Sequence, residues 1–389
     1  MFSKQAVSLG QKLVESKYRP SGFDYMRLIL AVSVVICHTA TIAEGEKAGV
    51  AFFNGPFEPY FQMILPAFFA LSGFLVSGSM ERCKTLVTFL GLRVIRIYPA
   101  LAVEVFLSAL LIGPFVTELP LQAYFTDHRF WRYLVNVTGH ISFVLPGVFT
   151  HNPKPDIINW QLWTVPWELA CYLTLTALIL AGLKRNRYII LVGIGLVAAV
   201  AITKTVLSHG AGFSPLAGHI WGLDLVLYFL CGVAGYLFRD KLPWSPVFGV
   251  ASIIASALLL KFAPGGQYLA LPLLVYATLF LGLSNPKRLS FMVMADFSYG
   301  IYLYGYAVQQ FIAWAFPSTH VWYLNGLISL PVATLIGMGS WYLVEKPAMK
   351  LRDKLKQIEA WWIVRRDAMA SAIGFPAKSN NVADSEPGK

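Results

Sequence analysis

The sequence predicts an all-α, polytopic integral membrane protein. Hydrophobic residues make up 57% of its 389 residues and charged residues 13%, against about 45–50% and about 25% in soluble domains. Apolar stretches recur along almost the whole chain, whose mean hydropathy is +0.60. Such a chain has too few polar residues to cover a water-facing surface, so we expect one membrane domain in place of two or three soluble ones.

Ten stretches are long and apolar enough to cross a bilayer as helices, which takes about 20 mostly apolar residues. They are 24–43, 60–79, 97–115, 163–182, 187–206, 221–238, 247–263, 268–284, 297–316 and 323–344. Segment 131–149 is also apolar, but polar residues, Gly139 and Pro146 interrupt it. This pattern favours a re-entrant or interfacial helix buried against protein, within the longest outer loop, residues 116–162.

Basic residues are distributed unevenly about these spans. If the N-terminus lies in the cytoplasm, only six of the 31 lysines and arginines fall on the outer side: Lys47, Arg129, Arg132, Lys154, Lys204 and Lys261. Membrane proteins retain basic residues in their cytoplasmic loops, and an even number of spans returns the chain to its starting side. We therefore expect both termini in the cytoplasm.

Outside the spans, the chain is expected to form two short cytoplasmic segments. Residues 1–20 are a basic lead-in without the apolar core of a cleavable signal. Residues 21–350 form the membrane domain. Residues 351–389 form a tail that is amphipathic at first and polar after about Pro376, a composition typical of disorder.

Composition argues against several classes of function. The cysteines lie in or beside apolar runs without paired spacing, so we expect neither disulfides nor a metal site. The formal net charge of +11 arises from basic residues scattered between apolar runs, which argues against a nucleic-acid-binding face. The lipid bilayer is the expected partner of most of the surface.

The first span carries two polar residues that are costly inside a bilayer. Arg27 and His38 are 11 residues apart, so on a helix they lie within about 20° of each other and about 16 Å apart along its axis. They are expected to face one interior channel, Arg27 at its cytoplasmic mouth and His38 halfway up. Two simpler interpretations stay open: a snorkelling anchor for Arg27, and a hydrogen-bonded packing residue for His38.

Charged residues also occur at the cytoplasmic start of the third span and within the fourth. Arg93 and Arg96 stand three residues apart on one helical face. Two guanidiniums so placed suit bidentate binding of phosphate, although two topology anchors would show the same pattern. Glu168 lies about one turn into the fourth span and needs a partner there. We expect that partner to be His38, with a structural ion pair as the alternative.

The outer loop 116–162 mixes aromatic with polar residues. Long loops of this kind often carry binding residues, and the mixture suits a carbohydrate. We expect Asn159, Trp160 and Trp163 to bind such an acceptor. In the second span, Ser72 with Gly73 favours a tight helix end over a nucleophile.

Six segments of the sequence together resemble one protein family. They are FDYMRLILAVSVVICH, FFALSGFLVSG, LRVIRIYP, NWQLWTVPWELACY, DFSYGIYLYGYAVQ and WYLVEKP. In this order, and at these positions along the spans, they resemble acyltransferase family 3, a family of bacterial membrane proteins. The resemblance covers roughly residues 21–350. Each segment alone is short, but six in the family's order make the resemblance specific.

The resemblance implies roles for the intramembrane basic residues. Arg27 and His38 correspond to the family's signature of Arg or Lys followed 11 residues later by His, with His38 the essential catalytic residue. Arg93 and Arg96 correspond to a basic pair thought to receive the phosphates of CoA.

The resemblance also extends to other spans. Ser72, Gly73 and Phe74 match the family's Ser-Gly-Phe turn, and we expect the first two in the cofactor site. Glu345 matches an acidic position near the cytoplasmic end of the final span. At Gly305 the chain departs from its relatives, which commonly carry His there, so any role of that side chain is in doubt here.

The resemblance implies that the protein would be an enzyme, an O-acetyltransferase or O-succinyltransferase. It would move an acyl group from cytoplasmic acyl-CoA to a sugar hydroxyl of an exopolysaccharide, O-antigen or related glycan, free or lipid-linked, on the periplasmic side of the inner membrane. His38 would act as general base, a transient acyl-histidine stays open, and Glu168 would orient or charge-balance His38. Acyl-CoA is the expected co-substrate, without a metal.

The main alternative is a secondary transporter or exporter of a small metabolite or glycan, since many spans with intramembrane charges also describe that class. An inverted repeat would support it, but the charged motifs of the first half are not echoed in the second. The sequence leaves open a homo-oligomer and an association with polysaccharide-synthesis machinery.

Overall fold

The computed structural model describes residues 7–209, 222–289 and 296–372. Within these residues the chain is helical, with isolated β-bridges. The first half contains α1 (Leu9–Glu15), α2 (Gly22–Glu44), α3 (Glu46–Phe53), α4 (Glu58–Arg82), α5 (Leu86–Leu107), α6 (Gly113–Val116), α7 (Leu121–Thr126), α8 (His128–Leu134) and α9 (Val165–Leu180). The second half contains α10 (Ile189–His209), α11 (Gly222–Leu237), α12 (Pro246–Phe262), α13 (Gly266–Leu269), α14 (Leu271–Leu283), α15 (Ser298–Ala315), α16 (Trp322–Ser340), α17 (Lys346–Met349) and α18 (Leu351–Ala372).

The predicted spans lie largely on helices; position 221, the first residue of the sixth stretch, is outside the described residues. In the described ranges, six helices are long and apolar enough to cross a membrane: Gly22–Glu44, Glu58–Arg82, Leu86–Val116, Trp160–Leu180, Ile189–Leu207 and Trp322–Arg365. The helices α11, α12 and α14 are apolar but shorter. The all-α, polytopic membrane class is thus confirmed, and the number of ten crossings stays a prediction.

Helix α4 lies at the centre of the bundle, since most of its length is buried and it packs on α2, α11, α12 and α14. Two glycines bring α4 and α11 into backbone contact. A Cβ on Gly73 would lie 2.0 Å from the Phe229 carbonyl oxygen, and one on Gly232 would lie 2.0 Å from the Ala70 carbonyl oxygen. Small residues allow this close approach between membrane helices.

The segment around Ser72 and Gly73 lies in the interior of α4. The prediction of a tight helix end there was therefore wrong. The apolar run continues for several residues on both sides, so the helix is not interrupted. The glycine serves close packing against α11 instead of ending the helix.

The long outer loop folds as a cap over one end of the bundle. Its chain is tied to α15 by two amides: Asn152 Nδ2 donates to the Gln310 carbonyl oxygen at 2.9 Å, and Gln310 Nε2 donates to the carbonyl oxygens of Lys154 and Ile157 at 2.8 and 2.7 Å. Two short bridges, Thr117 with Val148 and Val144 with Ile157, hold it further. The loop is thereby fixed against the spans.

Segment 131–149 is helical only to Thr138, so a helix over its remainder was wrong. The 3-10 turn Val135–Thr138 ends at Gly139, whose φ of +89° is left-handed and suits glycine. Beyond it, Asn136 accepts from the Ser142 amide at 2.7 Å and donates to the Ser142 carbonyl at 2.8 Å. The side chain thus completes a turn that replaces the helix.

On the cytoplasmic side of the expected topology, α18 packs on α5. A Cβ on Gly91 of α5 would lie 2.6 Å from Leu355, and Glu359 Oε1 accepts from the amide and hydroxyl of Thr85 at 2.7 and 2.8 Å. The amphipathic part of the tail is therefore a docked helix. The polar end after Pro376 lies outside the described residues, as do residues 1–6 of the lead-in.

Candidate functional site

Two adjoining cavities lie inside the helix bundle. The inner cavity, on the side of the basic loops, has a volume of about 190 Å³. The outer cavity, beneath the loop 116–162, has a volume of about 530 Å³. Leu65 of α4 and Tyr302 of α15 line both cavities, and we call this pair the shared wall. The two cavities therefore meet at these two side chains.

Three arginines line the inner cavity: Arg27 from α2, and Arg93 and Arg96 from α5. The spacing of three residues places the two guanidiniums of α5 on one helical face. Arg27 reaches the same cavity from a different helix. The structure thus brings together all three basic residues singled out in the sequence.

Arg27 and Arg96 are each paired with carboxylates. Arg27 Nη2 lies 2.6 Å from Asp24 Oδ1 and 3.4 Å from Asp296 Oδ2. Arg96 lies 3.0 Å from Asp296 Oδ2 and 3.3 Å from Glu345 Oε2. Asp296 precedes α15 and joins the two guanidiniums. Burial tends to raise the pKa of its carboxyl, but Arg27 and Arg96 outweigh burial and hold that pKa at about 2.

Arg93 forms no ion pair among the described residues. Its Nη2 donates to Ser79 Oγ at 3.0 Å, and its guanidinium lies 5.8 Å from the ring centre of Phe89 and 5.9 Å from that of Tyr172. Its Nε is buried without a hydrogen-bond partner. A poorly solvated cation without a direct ion pair favours an anionic ligand.

Glu168 lines the inner cavity and not the outer one. Tyr172, one turn further along α9, donates its hydroxyl to Glu168 Oε1 at 2.6 Å. Arg96 and Arg93 interact electrostatically with the carboxyl. The prediction that Glu168 pairs with His38 was therefore wrong, because α9 directs the carboxyl to the arginine side of the shared wall.

His38 lines the outer cavity, together with Cys37, Thr41, Glu46, Asn54, Phe143, Lys154, Trp160, Gln161, Trp163, Tyr306 and several apolar residues. Its imidazole packs edge-on against Tyr306, with ring centres 5.2 Å apart. In the described part of the chain it forms no hydrogen bond, and the residue is partly exposed. Its nitrogens therefore remain accessible to a molecule in the cavity.

Aromatic residues from the outer loop line the other side of this cavity. Trp160 stacks on Phe143 with ring centres 4.9 Å apart, and Lys154 Nζ lies 5.5 Å from the Trp160 ring centre. Lys154 also pairs with Glu46 of α3. Flat rings beside polar groups form a surface of the kind that a polar, ring-shaped molecule can stack on.

A family model described as an acyltransferase domain matches residues 21–346. The chain belongs to the acyltransferase 3 family. It is 26% identical over 347 residues to an "O-acetyl transferase" of Shigella phage Sf6, covering 85% of this chain and 96% of the relative. It is 27% identical over 381 residues to "Nodulation protein 10" of Rhizobium leguminosarum bv. viciae, covering 89% and 98%. No solved structure matches it significantly. The protein is an O-acyltransferase of the membrane.

Two of the predicted site residues of this acyltransferase do not line either cavity. Asn159 is fully buried, where Nδ2 donates to Glu104 Oε1 at 2.6 Å and to the Leu303 carbonyl oxygen at 2.9 Å. Gly73 packs against α11, while Ser72 beside it lines the inner cavity. Asn159 thus anchors the outer loop to α5 and α15, and does not reach the space where an acceptor would bind.

Sequence reasoning missed Asp296, Lys154 and Tyr302 in this acyltransferase. Asp296 stands directly before the ninth span, and acids are scarce in this chain, so its position was a usable signal. Lys154 is one of six outer basic residues, which could have drawn attention to it. A tyrosine in an apolar span carries no such signal, and Tyr302 becomes recognisable only when both cavities are seen.

Proposed function

We propose that this acyltransferase moves an acyl group from cytoplasmic acyl-CoA to a sugar hydroxyl of a surface glycan on the periplasmic side of a bacterial inner membrane. The observation that carries the proposal is the order of the two cavities from the inner to the outer side of the bundle. Three arginines line one cavity, His38 lines the next, and two side chains separate them. A donor with phosphates and an acceptor with a hydroxyl would each find suitable groups on its own side.

The inner cavity suits the donor. Phosphates of CoA would bind the guanidinium of Arg93, which forms no ion pair among the described residues, with Arg96 and Arg27 beside it. Planar guanidiniums bind phosphate oxygens in pairs. Arg27 and His38 are about 16 Å apart along α2, a span that the extended pantetheine arm would bridge. Ser72 would contact the arm, because it lines the same cavity.

At His38 the reaction would proceed by general-base catalysis. The neutral imidazole takes the proton of the acceptor hydroxyl as its oxygen attacks the thioester carbonyl. The new ester C–O bond forms, the C–S bond breaks, and the imidazolium returns the proton to the leaving thiolate of CoA. Proton transfer of this kind typically contributes 10²–10⁴-fold to a rate.

The outer cavity suits a sugar acceptor. Trp160, stacked on Phe143, and Trp163 offer aromatic faces, and Lys154 with Glu46 offers polar contacts at the same cavity. An exopolysaccharide, O-antigen or lipid-linked saccharide reaches such a site from the periplasm. The name of the relative from phage Sf6, "O-acetyl transferase", supports acetyl-CoA as the donor ahead of succinyl-CoA.

The orientation that this function requires follows from the charge distribution. Residues 1–20 and 351–389 would lie in the cytoplasm on either side of a membrane domain of residues 21–350, because most basic residues then fall inside. The arginine cavity then opens toward the cytoplasm, where acyl-CoA is found. The loop 116–162 then faces the periplasm.

The test is mass spectrometry of surface glycans from cells that carry the wild-type protein, the His38→Ala variant or neither. We expect the wild type to add O-acyl groups and His38→Ala to add at most about 1% as many, since loss of a general base costs 10²–10⁴-fold. His151→Ala is the matched control, because His151 is exposed in the outer loop, and it should act as wild type does. Wild-type acylation by folded, membrane-inserted His38→Ala would overturn the mechanism.

A further inference from the structure

The shared wall has the right position to select the acyl group. We propose that Tyr302 and Leu65 form a constriction that admits small acyl groups such as acetyl and rejects longer ones. The inference rests on the proposed function, in which the donor reaches His38 from the arginine cavity. The two side chains are contributed by different helices, α15 and α4, and both line both cavities.

Tyr302 is held in place at both its hydroxyl and its backbone. The hydroxyl donates to the Gln161 carbonyl oxygen at 3.0 Å and lies 2.6 Å from Thr164 Oγ1. The Tyr302 carbonyl oxygen accepts from Gln161 Nε2 at 2.6 Å, and Phe68 packs edge-on against the ring at 6.0 Å. A side chain fixed in this way acts as a rigid size limit.

The hydrogen-bond partners of Tyr302 belong to the 3-10 turn Trp160–Thr164, which joins the outer loop to α9. Gln161 and Trp163 of this turn line the outer cavity, and Thr164 lines the inner one. The turn therefore lies beside the shared wall, where the two cavities meet. Because it ends the loop that caps the acceptor cavity, the position of Tyr302 depends on how that loop folds.

The reacting carbonyl must lie close to the boundary. The arginines would hold the phosphates on the inner side, and His38 lies on the outer side, so the acyl group passes between Leu65 and Tyr302. Each additional methylene must fit beside a fixed ring and a leucine.

The experiment uses the full-length protein in proteoliposomes, equal concentrations of acetyl-CoA and butyryl-CoA, and glycan purified from cells that lack the protein. Mass spectrometry gives the ratio of butyryl to acetyl product. We expect the wild type to favour acetyl, and Tyr302→Ala and Leu65→Ala each to raise the ratio by about tenfold or more, in the range that pocket contacts with methylenes provide. Tyr302→Phe keeps the ring but loses both hydroxyl contacts, so its ratio should lie between those of the wild type and Tyr302→Ala.

Leu173→Ala is the matched control, since Leu173 on α9 lines neither cavity and is 64% exposed. Its product ratio should equal that of the wild type. If Tyr302→Ala does not fold, Leu65→Ala alone decides the result. Unchanged ratios in variants that still transfer acetyl would overturn the constriction and leave the proposed function intact. Absence of transfer by the wild type from both donors would overturn the proposed function, and the constriction with it.

Discussion

Arg93 and Arg96 differ in what surrounds their charges, although they stand one turn apart. Arg96 is paired with Asp296 and Glu345, and the Glu345 side chain is only 3% exposed. Removing Arg96 would leave a buried carboxylate without its cation, which is strongly destabilising. Arg93 leaves no such partner behind. It is therefore the cleaner position at which to test phosphate binding.

Arg93→Ala should weaken acyl-CoA binding by about tenfold to a hundredfold, the value of one hydrogen bond to a charged group. Binding of a pantetheine thioester that lacks phosphate should change little, because the guanidinium is proposed to hold phosphate. Isothermal titration of the purified protein with both ligands measures this. Equal losses for the two ligands would mean that Arg93 acts on the fold or the topology instead.

Asp296 makes the structure sensitive to acid. Its pKa in the folded protein is about 2, below the ordinary 3.8, so its carboxylate contributes stability above pH 3.8 that is lost as the pH falls toward 2. The contribution is on the order of 2 kcal/mol. Asp296→Asn should lower the melting temperature at pH 6 and show a smaller further drop between pH 5 and about pH 3 than the wild type. Identical acid profiles of the two proteins would contradict this assignment.

Individual residues also show what the sequence can and cannot predict. Helical periodicity predicted that Arg27 and His38 face the interior of the bundle, and they line the inner and the outer cavity respectively; a single channel joining them stays a prediction. The predicted partner of Glu168 was wrong because the partner depends on the orientation of α9 relative to α5. Periodicity on one helix does not determine that orientation. Asp296 meets Arg27 and Arg96 across a separation of 269 and 200 residues, and no local pattern predicts such a contact.

At the scale of helices, the contact between α4 and α11 packs together two helices that line the inner cavity. Gly73→Ala would place a Cβ 2.0 Å from the Phe229 carbonyl oxygen, so the helices must separate, at a cost of about 1–3 kcal/mol. Gly195→Ala is the matched control, because nothing lies within 4 Å of its added Cβ; it should be neutral or stabilising. Thermal unfolding in detergent measures both, and equal melting temperatures would contradict the packing argument.

Helices were predictable from long apolar runs, whereas the outer loop was only partly so. Segment 131–149 was apolar enough to suggest a helix. Its apolar residues Leu145, Val148 and Phe149 are instead buried in an irregular cap. Burial of side chains does not require a helix when Asn136 and short bridges satisfy the backbone. The positive φ of Gly139 marks the residue at which the helical prediction failed.

At the scale of the whole molecule, the two cavities and the charge distribution predict that the substrates arrive from opposite sides. Arg93 and Arg96 lie on α5, against which α18 packs, and His38 lines the cavity beneath the cap formed by residues 116–162. An enzyme that used both substrates in the cytoplasm would not need this separation. The two-sided arrangement is the central claim of the proposed function.

The most direct test uses sealed vesicles with the cytoplasmic face of the protein inside. Acyl-CoA enclosed in the vesicles should acylate purified glycan supplied only outside, and His38→Ala vesicles should not. Acyl-CoA supplied only outside, with the glycan outside, should give no product. Product formation only when both substrates are on the cytoplasmic face would contradict transfer through the two cavities.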